Sequence, residues 1–153
     1  MAFSLEKIKE TNNGVLYKLL LDNNKVYLKY KNVKALFKPD KYRNTYYIKW
    51  NVGEICLLEE LEYIENIINS CFDGRVMSSN ILKKNKYPLM LNTKYTYKKT
   101  KPIIISNTFL SVPEFIETNL DKSYNITLEI GKIFITENEI KYPLDIKYIN
   151  LVR

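Results

Sequence analysis

The chain contains no histidine, which is the side chain that most often acts as a general base near neutral pH. Its absence excludes histidine-activated nucleophiles and removes the commonest ligand of zinc sites. A nuclease that holds its metal with carboxylates alone is the enzymatic alternative that survives. We therefore expect a protein that is not an enzyme and that needs no cofactor and no metal.

Long apolar runs are absent as well. No window approaches the roughly 18 uninterrupted apolar residues of a membrane span, and the start, MAFSLEKIKE, has no apolar signal stretch. The two cysteines, Cys56 and Cys71, lie near opposite ends of one predicted helix, too far apart to pair, and are expected to be free thiols in the core. These absences predict a soluble, cytoplasmic protein with no membrane partner.

Acidic residues are missing from one whole segment, residues 74–107, which carries eight basic residues. The preceding segment, 54–73, has six acidic residues and no basic one. Residues 1–53 are basic again, with eleven positive and four negative charges, and the formal net charge of the chain is +7. Two basic segments separated by an acidic helix predict two walls of one groove that tracks a polyanion. A solvated lysine face is the alternative.

Alternating apolar and polar residues predict several β-strands. Val15–Leu21 and Lys25–Val33 are predicted to form a hairpin around Asp22-Asn23-Asn24, and Thr45–Val52 is predicted to form a third strand. The residues expected to face the core are Val26, Leu28, Tyr30, Tyr46, Ile48 and Trp50. If Trp50 is exposed instead, it is a stacking platform for a base. The opposite faces then carry Tyr27, Lys29, Lys31, Tyr47 and Lys49.

One long helix is predicted over Glu54–Phe72, because Leu57, Leu61, Ile64, Ile68 and Cys71 recur at helical spacing. Its acidic side, Glu59, Glu62 and Glu65, is expected to face solvent; a partner contact, or a repulsive guide that keeps nucleic acid in its groove, is the alternative. A capping box at Ser111–Glu114 predicts a second, short helix that ends at about Asn119. Further strands are predicted at Leu89–Tyr97, Pro102–Ser106, Ser123–Gly131, Lys132–Thr136 and Lys141–Val152. The candidate inner positions of the last segment are Ile140, Tyr142, Leu144, Ile146, Tyr148 and either Ile149 or Leu151.

These elements predict a single domain over residues 1–153, mainly β with one substantial helix. A small antiparallel barrel, with the helix plugging one end between the third and fourth strands, is the arrangement of the OB fold. An open α+β sheet with one packed helix is the alternative.

From Tyr46 onward the order of elements resembles a known family. The acidic helix with Leu57-Leu58-Glu59-Glu60-Leu61, the Tyr87-Pro88 strand that rises to a basic turn, and the tail NITLEIGKIFITENEIKYPLDIKYINLVR carry the resemblance. They resemble the OB-fold single-stranded DNA-binding proteins of large DNA viruses and of the virus-like cytoplasmic linear (killer) plasmids of yeasts. That resemblance implies sequence-tolerant coating of exposed strands during DNA replication, without catalysis.

The predicted interface combines lysines that meet phosphates with tyrosines that stack on bases. Tyr27 and Tyr47 are the preferred stacking residues, because alternation puts each on the lysine face of its strand. Tyr95 and Tyr97 either stack or belong to the core. Arg43 contacts phosphate, stacks on a base or lies on a plain surface. The full predicted set is Tyr27, Lys29, Lys31, Arg43, Tyr47, Lys49, Lys83, Lys84, Lys86, Lys94, Tyr95, Tyr97, Lys98, Lys99 and Lys101.

The leading hypothesis is a non-catalytic protein that binds single-stranded DNA, with replication proteins and further copies of the chain as candidate partners. One alternative is a viral or mobile-element interaction module whose basic, tyrosine-rich face docks an acidic protein. Another is an RNA-binding OB domain, which would prefer RNA through contacts to the 2′-hydroxyl.

Overall fold

The computed structural model describes residues 2–53, 58–83, 86–96, 104–105, 108–109 and 112–152. The strands among them are β1 (Phe3–Glu10), β2 (Val15–Leu21), β3 (Asn24–Lys25), β4 (Tyr27–Ala35), β5 (Asp40–Tyr42), β6 (Thr45–Asn51), β7 (Val76–Ser78), β8 (Ile81–Leu82), β9 (Met90–Tyr95), β10 (Ile104–Ile105), β11 (Thr108–Phe109), β12 (Tyr124–Ile130), β13 (Ile133–Ile135), β14 (Glu139–Lys141) and β15 (Leu144–Leu151). The helices are α1 (Glu59–Cys71) and α2 (Val112–Thr118).

Five of these strands close into a barrel. In chain order they are β4, β6, β9, β12 and β15. β4 pairs with both β6 and β12, β6 pairs with β9, and β15 joins β12 to β9, so the ring has no open edge. The pairing of β9 with β15 is parallel and the others are antiparallel. The prediction of a mainly β, OB-like small barrel is confirmed.

Alternation along the barrel strands decides which side chains fill the interior. Trp50 on β6 is completely buried, as predicted, and its ring meets Tyr124 of β12 edge-on at 5.6 Å between centroids. Tyr124 in turn contacts Phe115 of α2 at 6.3 Å. The indole Nε1–H of Trp50 donates a 2.8 Å hydrogen bond to Thr93 Oγ1, which satisfies the one polar atom that this large ring carries into the core.

A second sheet lies beside the barrel, with strand order β1-β2-β13-β14-β7. Strand β1 was not predicted, because only Phe3 and Leu5 alternate as apolar residues before charged residues break the pattern, and the register is irregular between Lys7 and Lys9. The predicted hairpin between Val15–Leu21 and Lys25–Val33 is wrong beyond its turn. Asp22 and Asn23 have positive φ angles of 50° and 66°, as a tight hairpin turn requires, but only Asn24 and Lys25 pair back onto β2. The chain then enters the barrel as β4.

Both helices lie where the sequence predicts them along the chain, α1 after β6 and the short α2 before β12. Because β2 lies outside the barrel, α1 connects the second and third barrel strands, and α2 takes the place between the third and fourth that the OB arrangement assigned to the long helix. On α1, Leu61, Ile64 and Ile68 are buried as predicted, and residues 54–57 lie outside the described range. Neither helix in the described part of the chain is long and apolar enough to cross a membrane.

Three predicted side-chain positions are corrected by the structure. Glu65 was expected in solvent but is only 9% exposed, because its carboxylate is a hydrogen-bond acceptor between α1 and the second sheet. Cys71 was expected in the core but is exposed at the end of α1. Tyr148 was expected inside but faces outward, since an irregularity in the pairing of β12 with β15 shifts the alternation by one residue and turns Ile149 inward.

Candidate nucleic-acid interface

The outer surface of β6 and β9, called the barrel face below, places an aromatic side chain beside a cation. Tyr47 of β6 lies directly opposite Lys94 of β9 in the antiparallel register, and Lys49 lies opposite Asn92. Because Ile48, Trp50 and Leu91 are buried, these four residues must point away from the core. Directly opposite residues have Cβ atoms about 5 Å apart, so the Tyr47 ring and the Lys94 ammonium can engage the same ligand.

The hairpin of β13 and β14 rises beside the barrel face and closes a pocket of about 320 Å³ against it. The hairpin contributes Phe134, which lies opposite Lys141 in the register, and Lys132 precedes it. The pocket, called the barrel-face pocket, is lined by Tyr47, Asn80, Asn92, Thr93, Lys94, Lys132, Phe134, Lys141, Tyr142, Pro143 and Leu144. It therefore combines the partly exposed rings of Tyr47 and Phe134 with three lysines.

This hairpin is fixed in place by contacts on several sides. Strand β13 pairs with β2, and β14 pairs in parallel with β7. Asn80 Nδ2 donates a 2.7 Å hydrogen bond to the carbonyl of Tyr142, and Arg75 Nε donates a 2.7 Å bond to the carbonyl of Thr136. Below the hairpin, the Tyr142 phenol and the Ser79 hydroxyl both donate to Glu65. The aromatic wall of the pocket is thus held in place by contacts within the protein itself.

The lysines of the pocket differ in how far they are neutralised. Lys141 forms an ion pair with Glu139 at 3.2 Å, and beside the pocket Lys49 forms one with Asp40 at 3.1 Å. Lys94 and Lys132 make no ion pair with any residue of the described ranges. Among the lysines that line the pocket, Lys94 and Lys132 are therefore the ones that no ion pair neutralises within the described residues.

Of the predicted interface residues, Tyr47, Lys49 and Lys94 are brought together on the barrel face. Tyr95 is removed from the set, because it is only 4% exposed and packs its ring against Tyr46 inside the barrel. Lys84, Tyr97, Lys98, Lys99 and Lys101 lie outside the described residues.

Other predicted residues lie away from the barrel face. Arg43 sits in the turn between β5 and β6, where its guanidinium lies 5.4 Å from the ring centroid of Tyr42. Lys83 pairs with Glu62 of α1 at 3.2 Å, and Lys86 is exposed in the chain before β9.

Tyr27, Lys29 and Lys31 are exposed on β4, as alternation predicts, but on another side of the barrel. From β6, Tyr47 pairs across to Lys94 of β9, and Lys94 pairs with Asp145 of β15. Asp145 in turn pairs with Glu129 of β12, which lies opposite Tyr27 of β4. Along this register four strand-to-strand steps separate the two tyrosines, and two carboxylates stand between them. The direct pairing of β4 with β6 involves Lys34 and Ala35, at the end of β4 far from Tyr27. The predicted groove does not bring the two tyrosines into one stack.

Sequence reasoning missed the hairpin residues Lys132, Phe134 and Lys141. The available signal was the alternation of 132–135, in which Ile133 and Ile135 are buried and leave Lys132 and Phe134 on the other face. What the sequence could not show is that this face lies against the third barrel strand.

A second concavity, called the cleft below, adjoins the barrel-face pocket and has a volume of about 600 Å³. It lies between the β1–β2 pair and the barrel and is lined by Glu6, Ile8, Lys18, Leu19, Lys25, Lys94, Glu129, Ile130, Gly131, Lys132, Pro143, Asp145 and Lys147.

Within the cleft, the carboxylate of Glu129 forms ion pairs with the ammonium groups of Lys147 at 2.9 Å and Lys25 at 3.4 Å. Burial pushes the pKa of Glu129 upward, but the hydrogen bonds and charges of the two lysines outweigh burial and lower it. The carboxylate therefore carries its negative charge at neutral pH, and the two lysines balance that charge.

The described residues contain no group of three or more cysteine, aspartate or glutamate side chains that could hold a metal ion. In comparisons with known proteins, no family model, no curated protein and no solved structure matches this chain.

Proposed function

We propose that this chain binds single-stranded nucleic acid, and DNA in particular, on the barrel face and in the barrel-face pocket, without catalysing a reaction. The observation that carries the proposal is the direct cross-strand pairing of Tyr47 with Lys94 on the second and third strands of an OB-like barrel. In OB folds this is the face that binds oligonucleotides and oligosaccharides, together with the loop between the fourth and fifth strands.

Charge favours the nucleic acid among these ligands. Lys94 and Lys132 line the pocket and make no ion pair with a described residue, and the chain has a formal net charge of +7. A neutral sugar gains nothing from these charges, whereas each neutralised phosphate releases counterions. Tyr47 and Phe134 supply flat rings, on which any base stacks with about 1 to 3 kcal/mol.

The biological role that we propose is the coating of exposed strands during replication of a virus or a virus-like cytoplasmic linear plasmid. This part rests on the resemblance of residues 46–153 to proteins of that kind. Replication proteins are the partners that such a role would bring to the chain.

The test is a titration of fluorescein-labelled oligo-dT with the purified protein, read by anisotropy at two salt concentrations. Duplex DNA and oligo-U are titrated in parallel. We expect salt-sensitive binding of oligo-dT that duplex DNA does not match. Equal or tighter binding of oligo-U would move the proposal to an RNA-binding domain. Absence of binding at low salt would overturn the proposal in favour of a protein-interaction module, and breakdown of the probe with added magnesium or manganese would indicate a nuclease.

The variant Tyr47→Ala locates the binding site within the same assay. Its matched control is Tyr63→Ala, because Tyr63 is an exposed tyrosine on α1 that lines neither the barrel-face pocket nor the cleft. We expect Tyr47→Ala to weaken oligo-dT binding and Tyr63→Ala to leave it unchanged.

A further inference from the structure

We infer that a bound single strand of nucleic acid continues from the barrel-face pocket through the cleft to Tyr27, so that the β1–β2 pair forms a second wall of the binding site. This inference rests on the proposed function and adds the path of the strand to it. It assigns Lys18 and Tyr27 to the interface, at a distance from the barrel face.

The first observation is that the two concavities are continuous. Lys94, Lys132 and Pro143 line both the barrel-face pocket and the cleft. Lys94 and Lys132 are also the lysines of the pocket that make no ion pair with a described residue. A phosphate held between them would lie at the entrance of the cleft, with the next nucleotide directed into it.

The second observation is where the cleft ends. Lys147 and Glu129 line it, and Tyr27 lies opposite Glu129 in the register of β4 with β12. Tyr27 is 47% exposed, so its side chain is accessible to a ligand that leaves the cleft. The bound nucleic acid would therefore meet an aromatic ring at each end of its path, Tyr47 at one end and Tyr27 at the other.

The charges and apolar surface of the cleft suit a strand. Its lining contains five lysines and three carboxylates, and Glu129 is already neutralised by Lys25 and Lys147. Lys18 stands on the β2 wall, and the exposed side chain of Ile8 on β1 offers an apolar contact for a base or sugar. The excess of lysines over carboxylates in this lining is the feature that favours a polyanion as the ligand.

The length of the path follows from the sheet. Four steps between neighbouring strands, each of about 4.8 Å, separate Tyr47 from Tyr27, a total of roughly 19 Å. At the spacing of about 3.4 Å per nucleotide of a stacked strand, this distance corresponds to about six nucleotides.

The experiment measures oligo-dT affinity by anisotropy as the oligonucleotide is lengthened from about two to about twelve nucleotides. Wild-type protein is compared with Lys18→Glu and Tyr27→Ala, and with the control Lys122→Glu, which makes the same charge change at an exposed residue that lines neither concavity. Circular dichroism establishes that each variant is folded, and Tyr27→Ala keeps the test open should Lys18→Glu fail to fold.

We expect the affinity to rise up to about six nucleotides and then to level off. Lys18→Glu and Tyr27→Ala should each lower the affinity for the longer probes about tenfold and leave the affinity for the shortest probes unchanged. Lys122→Glu should change the affinity for neither group of probes. Binding that depends on Tyr47 but not on Lys18 or Tyr27 at any length would overturn the path and leave the proposed function standing. Absence of binding by the wild-type protein at every length would overturn both.

Discussion

The phenol of Tyr142 donates a hydrogen bond to the buried carboxylate of Glu65 and so ties the β13–β14 hairpin to helix α1. Burial, and next the neighbouring charge of Glu65, raise the pKa of Tyr142 above its ordinary value of 10.0, so the phenol stays protonated and remains a donor. Ser79 gives the same carboxylate a second hydrogen bond of 2.8 Å. The wall of the barrel-face pocket is thus anchored by a small polar cluster.

The variant Tyr142→Phe should destabilise the protein by about 1 to 3 kcal/mol, because it leaves a buried carboxylate short of one donor. The loss is measured as the change in the free energy of unfolding in urea. Tyr63→Phe, at an exposed tyrosine on the same helix as Glu65, is the control and should change little. Equal stability of Tyr142→Phe and wild type would show that the hydrogen bond contributes nothing to the anchoring of the hairpin.

Thr93 links Trp50 to the backbone inside the barrel, since it accepts from the indole and donates a 2.9 Å bond to the carbonyl of Ile48. Thr93→Val keeps the shape but leaves the Trp50 N–H buried without an acceptor, so we expect a loss of about 1 to 3 kcal/mol in urea unfolding. Thr127→Val, on the outer face of β12, is the matched control.

A double-mutant cycle separates this hydrogen bond from packing. In the background of Trp50→Phe, which has no indole N–H, the further change Thr93→Val should cost clearly less than it does in the wild type. Strictly additive losses would count against the hydrogen bond as the source of the effect.

Much of the barrel was predictable because its signals are local. Alternation alone placed Tyr47 and Lys49 outside and Ile48 and Trp50 inside, since successive side chains of a strand point to opposite faces. The same rule failed at Tyr148, because the irregular pairing there shifts the alternation and appears only once β12 and β15 are aligned.

The site itself was only partly predictable, because half of it comes from long-range pairing. Phe134 reaches the barrel-face pocket since β13 pairs with β2, more than a hundred residues earlier in the chain. Nothing in the sequence near Phe134 specifies that partner. Tyr27 illustrates the converse, since its exposure was predictable but its distance from Tyr47 around the closed barrel was not.

The ion pair of Glu129 with Lys147 gives a pH dependence with a definite sign. The pKa of Glu129 is lowered from 4.5 in the folded state, so its contribution to stability is present at neutral pH and is lost as the pH falls through the lowered pKa. The pKa of Lys147 is raised from 10.5, chiefly by its hydrogen bond to Glu129, so the lysine's contribution is lost only as the pH rises beyond that value.

Glu129→Gln should therefore be less stable than wild type by about 1 to 3 kcal/mol at neutral pH, and the difference should vanish below the lowered pKa. Urea unfolding at a series of pH values between neutral and strongly acidic measures it. Glu137→Gln, at an exposed carboxylate in the β13–β14 turn, is the control. A difference that stays constant as the pH falls would contradict the ion pair as its cause.

Tyr47 and Lys94 should respond differently to salt, because a stacked ring and a phosphate contact depend on different forces. Tyr47→Ala should weaken oligo-dT binding by about 1 to 3 kcal/mol at both low and high salt. Lys94→Ala should reduce the slope of log K against log salt concentration by about 0.7, so that its cost is large at low salt and fades as salt is added. Lys49→Ala is the matched control, since Lys49 is already neutralised by Asp40 and should cost less than Lys94→Ala. Equal losses for Tyr47→Ala and Lys94→Ala at every salt concentration would refute stacking on Tyr47, because only a purely electrostatic surface would make the two residues equivalent.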